Sequence, residues 1–194
     1  MAVSMTTGRI LNIPNILTLA RIALIPVFLL IAYWPPAVGV NGHDGGMTRH
    51  LVLTGIFVVA AVTDWFDGYL ARTLNQTSAF GRFLDPVADK LMVAAALIVL
   101  VQWKPSIAMA FAAIVIISRE ITVSALREWM AELGARTNVA VSTVGKYKTA
   151  FQMIAITVFL LNWQPLETLA YGLLYTSVIL TLWSMFIYLK AAWP

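Results

Sequence analysis

No cysteine occurs in the 194 residues, which excludes a disulfide framework, a thiolate metal site and a cysteine nucleophile. Charge is nearly as scarce. Lys, Arg, Asp and Glu make up 11% of the chain, where soluble domains carry about 25%. The chain is instead 60% hydrophobic, and a soluble protein of this size would have to expose large apolar patches to carry that load. A soluble enzyme, a disordered chain and a secreted disulfide scaffold are therefore excluded. The N-terminus lacks a basic region leading to a small-residue cleavage site, so the first apolar run is expected to be retained. A net charge of +4 does not make a nucleic-acid footprint here, because the basic residues are scattered between apolar runs. Topology and anionic lipid or substrate account for that pattern better.

Spanning a bilayer takes ~20 mostly apolar residues per helix, and the uncharged runs mark six spans. The first is Ile22 to Asn41, broken late by Pro35 and Pro36. The second follows Arg49, the third ends before Lys104 and the fourth begins after it. The fifth runs from Thr149 to Leu166 and the sixth from Thr168 to Leu189. The expected fold is all-α: a polytopic membrane protein with six transmembrane helices and a short amphipathic N-terminal segment, in one domain over residues 1–194. Six spans place Arg9, Arg21, Arg72, Arg82, Lys90, Arg119, Arg127, Arg136, Lys146, Lys148 and Lys190 on one side, against Arg49 and Lys104 on the other. That asymmetry puts both termini in the cytoplasm. His43 and His50 fall on the far side as loop and interface residues. Trp34, Trp103 and Trp163 close apolar runs, as an interfacial aromatic belt does.

Three runs are short. Leu51 to Thr63 and Leu91 to Trp103 hold 13 residues each, and Pro105 to Ser118 holds 14. They reach spanning length only by taking in Asp64 and Asp67, Asp85, Asp89 and Lys90, or Arg119 and Glu120. Charges at membrane depth face a protein interior or a wet cavity, so three charged cytoplasmic ends imply a polar cavity open to that side. On a helix, positions 64, 67, 68 and 71 share a face, as do 81, 85 and 89. A short polar link, Thr73 to Ala79, would set the two helices side by side and antiparallel. Four carboxylates without matching local bases repel one another unless a cation joins them. An all-oxygen set suits Mg²⁺ or Mn²⁺, which bind through carboxylates and substrate phosphates. Helix capping fails for Asp64 and Asp67, since negative charge at the end of an apolar helix opposes its dipole. A proton or cation pathway is the other use of intramembrane acids.

The same residues carry a resemblance. Asp-x-x-Asp-Gly-x-x-Ala-Arg, eight residues, then Gly-x-x-x-Asp-x-x-x-Asp resembles the signature of the CDP-alcohol phosphotransferases. All its residues are present, as Asp64, Asp67, Gly68, Ala71, Arg72, Gly81, Asp85 and Asp89. Asn12-Ile13-Pro14-Asn15 with Thr18 and Arg21, Ser118-Arg119-Glu120, Ser124 to Glu128, and Gly145-Lys146-x-Lys148-Thr149 are similar to the members of that family that use glycerol 3-phosphate. The resemblance implies transfer of a phosphatidyl group from CDP-diacylglycerol to sn-glycerol 3-phosphate, giving phosphatidylglycerophosphate and CMP in a bacterial inner membrane. It implies that Asp64, Asp67, Asp85 and Asp89 hold Mg²⁺ or Mn²⁺, in a two-metal site, and that Asp89 also acts as base. It further implies that Asp67, Gly68, Ala71, Arg72 and Gly81 surround the cytidine nucleotide, and that the chain is a homodimer.

A phosphorylated acceptor must meet fixed cations. Arg119 and Arg127 are eight apart, on one face of a continued helix, and Lys146 and Lys148 open the fifth run. These four are the candidate acceptor-phosphate set; setting topology or touching anionic lipid is their alternative use. Glu120, Glu128 and Glu132 are expected to pair with nearby bases. Arg21, just inside the first run, either snorkels to the interface or meets nucleotide phosphates. Two other activities compete. A prenyltransferase would release pyrophosphate and have its two acidic motifs far apart, and a transporter would release neither CMP nor pyrophosphate.

Overall fold

The computed structural model describes residues 13–35, 45–73, 79–132 and 143–192. Every regular element among them is helical: α1 (Ile13–Tyr33), α2 (Gly45–Thr73), α3 (Ala79–Trp103), α4 (Ile107–Glu132), α5 (Thr143–Leu161) and α6 (Glu167–Ala192), with a 3-10 turn at Gln164–Leu166. The amphipathic segment expected at the N-terminus, and Arg9, His43 and Arg136, lie outside the described residues. Four helices are long and apolar enough to cross a bilayer, over Asn15–Tyr33, Gly46–Asp64, Ile107–Leu126 and Gln164–Phe186, and a shorter apolar helix covers Tyr147–Leu161. At 1.5 Å per residue α1 is about 32 Å long, close to the thickness of a hydrocarbon core.

Much of the surface is apolar, and several polar and charged groups are buried beside an apolar core. Ile107 is 92% exposed and Trp34 68%, whereas Arg21, Arg119, Lys148 and Gln152 are all buried. Asn15, Thr18, Ser177, Thr181 and Ser184 are buried with them. Lipid accepts such a surface and requires polar groups to be turned inward; water does neither. This is a membrane protein.

The chain divides into two units, Met1–Ala95 and Ala96–Pro194, with the boundary inside α3. In the first, α1 packs against α2. Thr18, Arg21, Phe28 and Ala32 are buried along one face of α1, and Leu53, Phe57 and Ala60 along one face of α2. Two contacts fix the helices antiparallel. Arg21 reaches Asp64 at one end, and at the other Arg49 donates to the Trp34 carbonyl at 3.4 Å. Pro26 sits inside α1 and removes the N–H that would bond the Ile22 carbonyl.

In the second unit α6 packs on both α5 and α4. After α5, Asn162 turns the chain in the left-handed region (φ 54°), its N–H bonding the Phe159 carbonyl at 3.1 Å. Asparagine visits that region at lower cost than other side chains, which suits it to the end of a helix. Beyond the turn, Phe159 and Tyr171 meet edge to face with ring centres 4.8 Å apart. Lys104, after α3, pairs at 2.8 Å with Glu167, whose charge sits at the positive end of the α6 dipole. That pair brings the starts of α4 and α6 together, so the two run parallel and α5 runs opposite to α6.

Helix boundaries differ from the uncharged runs wherever a charge is buried. The first helix is Ile13–Tyr33, not Ile22 to Asn41, because Arg21 lies inside it with its charge paired. Likewise α5 begins at Thr143 and takes in Lys146 and the buried Lys148, and α6 runs on to Ala192.

Candidate active site

α2 does not stop at the acids. Its apolar window ends at Asp64, and residues 65–73 carry the helix on by about 14 Å, so Asp67, Gly68, Ala71 and Arg72 occupy its last turns. Gly81, Asp85 and Asp89 lie in the first turns of α3. The continuous helices put 64, 67, 68 and 71 on one face and 81, 85 and 89 on another, as the spacing requires. The link at 74–78 lies outside the described residues, as do the side chains of Asp67, Ala71, Arg72 and Asp85. Asp89 is described and half-buried. Among the described residues no three acidic, histidine or cysteine side chains come together.

Asp64 has a base. The Arg21 guanidinium donates to its Oδ1 at 2.7 Å, with the Arg21 side chain 1% exposed and that of Asp64 41% exposed. The four acids lack matching local bases in the sequence, and the base that Asp64 meets is a distant one: α1 supplies it, from 43 residues away. Arg21 does not snorkel either, since a snorkelling side chain carries its charged head into water. Its burial holds the pair rigid on the protein side while the carboxylate remains accessible on the other. An accessible, oriented carboxylate at the end of the apolar stretch of α2, with oxygen the only donor type in the motif, fits a hard divalent cation.

The basic residues form a second centre, on α4, α5 and α6. Arg119 and Lys148 are both buried, and Glu120 joins them. Its Oε1 accepts from the Arg119 guanidinium at 2.9 Å and from the Lys148 ammonium. The other arm of Arg119 donates to Ser184 Oγ on α6 at 2.6 Å. Glu120 does pair with neighbouring bases as expected, yet as the link between two buried cations. Arg127 lies on the same unbroken α4 and Lys146 on α5; their side chains, like those of Glu128 and Glu132, lie outside the described residues. Ser184 carried no signal in the sequence, being one hydroxyl in an apolar run.

The chain matches the pattern of the CDP-alcohol phosphatidyltransferase family over residues 11–183. It belongs to that family. Similar proteins named CDP-diacylglycerol–glycerol-3-phosphate 3-phosphatidyltransferase occur in several bacteria. The one from Pectobacterium atrosepticum is 50% identical over 184 residues, covering 93% of this chain and 94% of the relative. The one from Pseudomonas fluorescens is 49% identical over 189 residues, 95% of this chain and 91% of the relative. The one from Haemophilus influenzae is 48% identical over 182 residues, 93% of each. Likeness of this extent reaches both centres, since Asp64 and Asp89 as well as Arg119 and Lys148 fall inside the matched range.

Proposed function

We infer that this chain is an enzyme that transfers the phosphatidyl group from CDP-diacylglycerol to sn-glycerol 3-phosphate, releasing CMP. The observation that carries this is the complete acid signature on two continuous helices in a chain about half identical to enzymes of that name over nearly its whole length. The family generally uses divalent metals, and here Asp64, Asp67, Asp85 and Asp89 would hold Mg²⁺ or Mn²⁺ in a two-metal site. Bound there, the metal would neutralise the pyrophosphate and the departing CMP. Asp89 takes the proton of the glycerol 1-hydroxyl as that oxygen attacks the phosphorus bearing diacylglycerol; the phosphorus–oxygen bond to CMP breaks and CMP leaves. Gly68, Ala71, Arg72, Gly81 and Asp67 surround the nucleotide. Arg21 orients Asp64.

Arg119 and Lys148, with Arg127 and Lys146, bind the acceptor phosphate. The burial of Arg119 and Lys148 around a shared carboxylate supports this, because charge-assisted hydrogen bonds from such cations suit a dianion. Positioning and electrostatics then supply most of the rate. We further propose that α3 and α5 complete six spans in a single 1–194 domain, that both termini and the active site face the cytoplasm of a bacterial inner membrane, and that the enzyme is a homodimer. The purified protein, given CDP-diacylglycerol and a panel of glycerol 3-phosphate, inositol phosphate, serine and glycerol, should release CMP with the first and little with the unphosphorylated acceptors. CMP release with serine and none with glycerol 3-phosphate would overturn this activity.

A further inference from the structure

We propose that Gln152 and Thr181 bind the free 2-hydroxyl of the acceptor, and so restrict it to a phosphorylated polyol. The proposal rests on the glycerol 3-phosphate activity inferred above and adds a recognition site to it. Gln152 is 4% exposed and Thr181 fully buried, yet neither Gln152 Oε1 nor Thr181 Oγ has a hydrogen-bond partner among the described residues. In an apolar interior such groups are costly to leave unmet.

Thr181 is unlike its neighbours. Thr54, Thr63, Thr122, Thr157 and Thr176 each donate to the carbonyl four residues earlier. On the same face of α6, Ser177 donates to the Leu174 carbonyl at 2.7 Å and Ser184 accepts from Arg119.

The placement indicates what the two groups serve. Gln152 is four residues beyond Lys148 on α5, and Thr181 is three before Ser184 on α6. Because α5 and α6 run in opposite directions, both steps lead the same way, one helical turn from the cluster of Arg119, Glu120, Lys148 and Ser184. An acceptor, a hydroxyl donor and a phosphate-binding cation pair therefore lie within a turn of one another on packed helices. In glycerol 3-phosphate the phosphate occupies one end and the attacking oxygen the other, which leaves only the 2-hydroxyl to be read. The Gln152 carbonyl oxygen accepts its proton, and its oxygen accepts from the Thr181 hydroxyl. A site that recognised phosphate alone would take any phosphorylated primary alcohol, whereas a site with buried groups to satisfy rejects the analogue that lacks a hydroxyl.

The test compares sn-glycerol 3-phosphate with 3-hydroxypropyl phosphate, which lacks only the 2-hydroxyl, as acceptors for the purified enzyme. The wild type should favour glycerol 3-phosphate by about tenfold or more in kcat/KM. Thr181→Val and Gln152→Met should bring that ratio close to one with the KM for CDP-diacylglycerol unchanged, and Thr181→Ser should keep the wild-type ratio. Variants that retain the full preference would overturn the proposal and leave a buried water as the occupant. Should a variant fail to fold, the wild type alone still decides, because indifference to the 2-hydroxyl also overturns it. Absence of any CMP release with glycerol 3-phosphate would instead refute the underlying activity, and would appear before any variant is made.

Discussion

Glu120→Gln tests whether the basic centre is built around a shared charge. The substitution keeps an acceptor oxygen for Arg119 and Lys148 and removes only the negative charge. At the 2.9 Å contact to Arg119, attraction amounts to about 6 kcal/mol at an effective dielectric of 20, before desolvation is counted. Breaking a fully buried pair costs about 3–5 kcal/mol. Glu120 is 24% exposed, so a net loss of about 2–3 kcal/mol is expected, which lowers Tm by roughly 4–12 °C for a chain of this size. The acceptor should offset part of that loss. In the variant the two buried cations lose the charge of the carboxylate they share, so glycerol 3-phosphate should raise the Tm of the variant more than that of the wild type. For comparison, a ligand at a hundred times its dissociation constant contributes about 2.7 kcal/mol. The assay is thermal unfolding in detergent, with and without glycerol 3-phosphate, using serine as a control solute. If the variant melts within about 2 °C of the wild type and acceptor stabilises both equally, the two cations do not depend on Glu120 and the phosphate does not replace it.

Three further outcomes follow from the same structure. Asp64→Asn, Asp67→Asn, Asp85→Asn or Asp89→Asn should each nearly abolish CMP release from folded protein, with chelation stopping the wild type and Mg²⁺ or Mn²⁺ restoring it; substantial turnover in two of the four would count against a shared metal site. Arg21→Met should raise the Mg²⁺ concentration for half-maximal activity several-fold while sparing kcat at saturating metal, and should cost about 1 kcal/mol of stability, because Asp64 is 41% exposed and a half-exposed pair contributes less than a buried one; an unchanged metal dependence would leave Arg21 a packing residue. Asn162→Val should destabilise the α5–α6 turn by about 1–2 kcal/mol, since a β-branched residue resists the left-handed backbone there, with Asn162→Gly tolerated; equal melting of the two would contradict the φ of 54°.

Helix positions and the acid signature were legible in the sequence because both are local. A span declares itself by an unbroken apolar run, and Asp64 to Asp89 declare themselves by spacing that a helix converts directly into a shared face. Boundaries were misplaced where the run was broken by a charge, at Arg21 and at Lys146 and Lys148. Treating charge as a mark of the interface assumes that the charge is solvated, and Arg21 is instead neutralised inside the protein by Asp64. The partners themselves could not be read, since Arg21 meets Asp64 across 43 residues and Arg119 meets Ser184 across 65. Such pairings depend on which helices pack and in which register. The lone Gln152 in an apolar run carried only the general signal that an intramembrane polar group has a partner somewhere.

Pairing explains how one chain keeps its cations in an apolar setting and still uses them. Arg21 has Asp64, Arg119 and Lys148 share Glu120, and Lys104 has Glu167. The middle case differs in that, among the described residues, one carboxylate is shared by two buried cations. An isolated charge of that kind would be expensive to bury, and a 1:1 pair would have little left with which to attract a ligand. Under the proposed acceptor site, two cations sharing one acid would avoid both extremes: the cluster can be buried before substrate arrives, and it would still favour an incoming dianion. A neutral or zwitterionic alcohol would gain little from such a cluster, whereas a phosphate monoester would gain most. On the proposed reading, selection of a phosphorylated acceptor would rest on this cluster of cations, and reading of the remaining hydroxyl would fall to the polar groups one turn away.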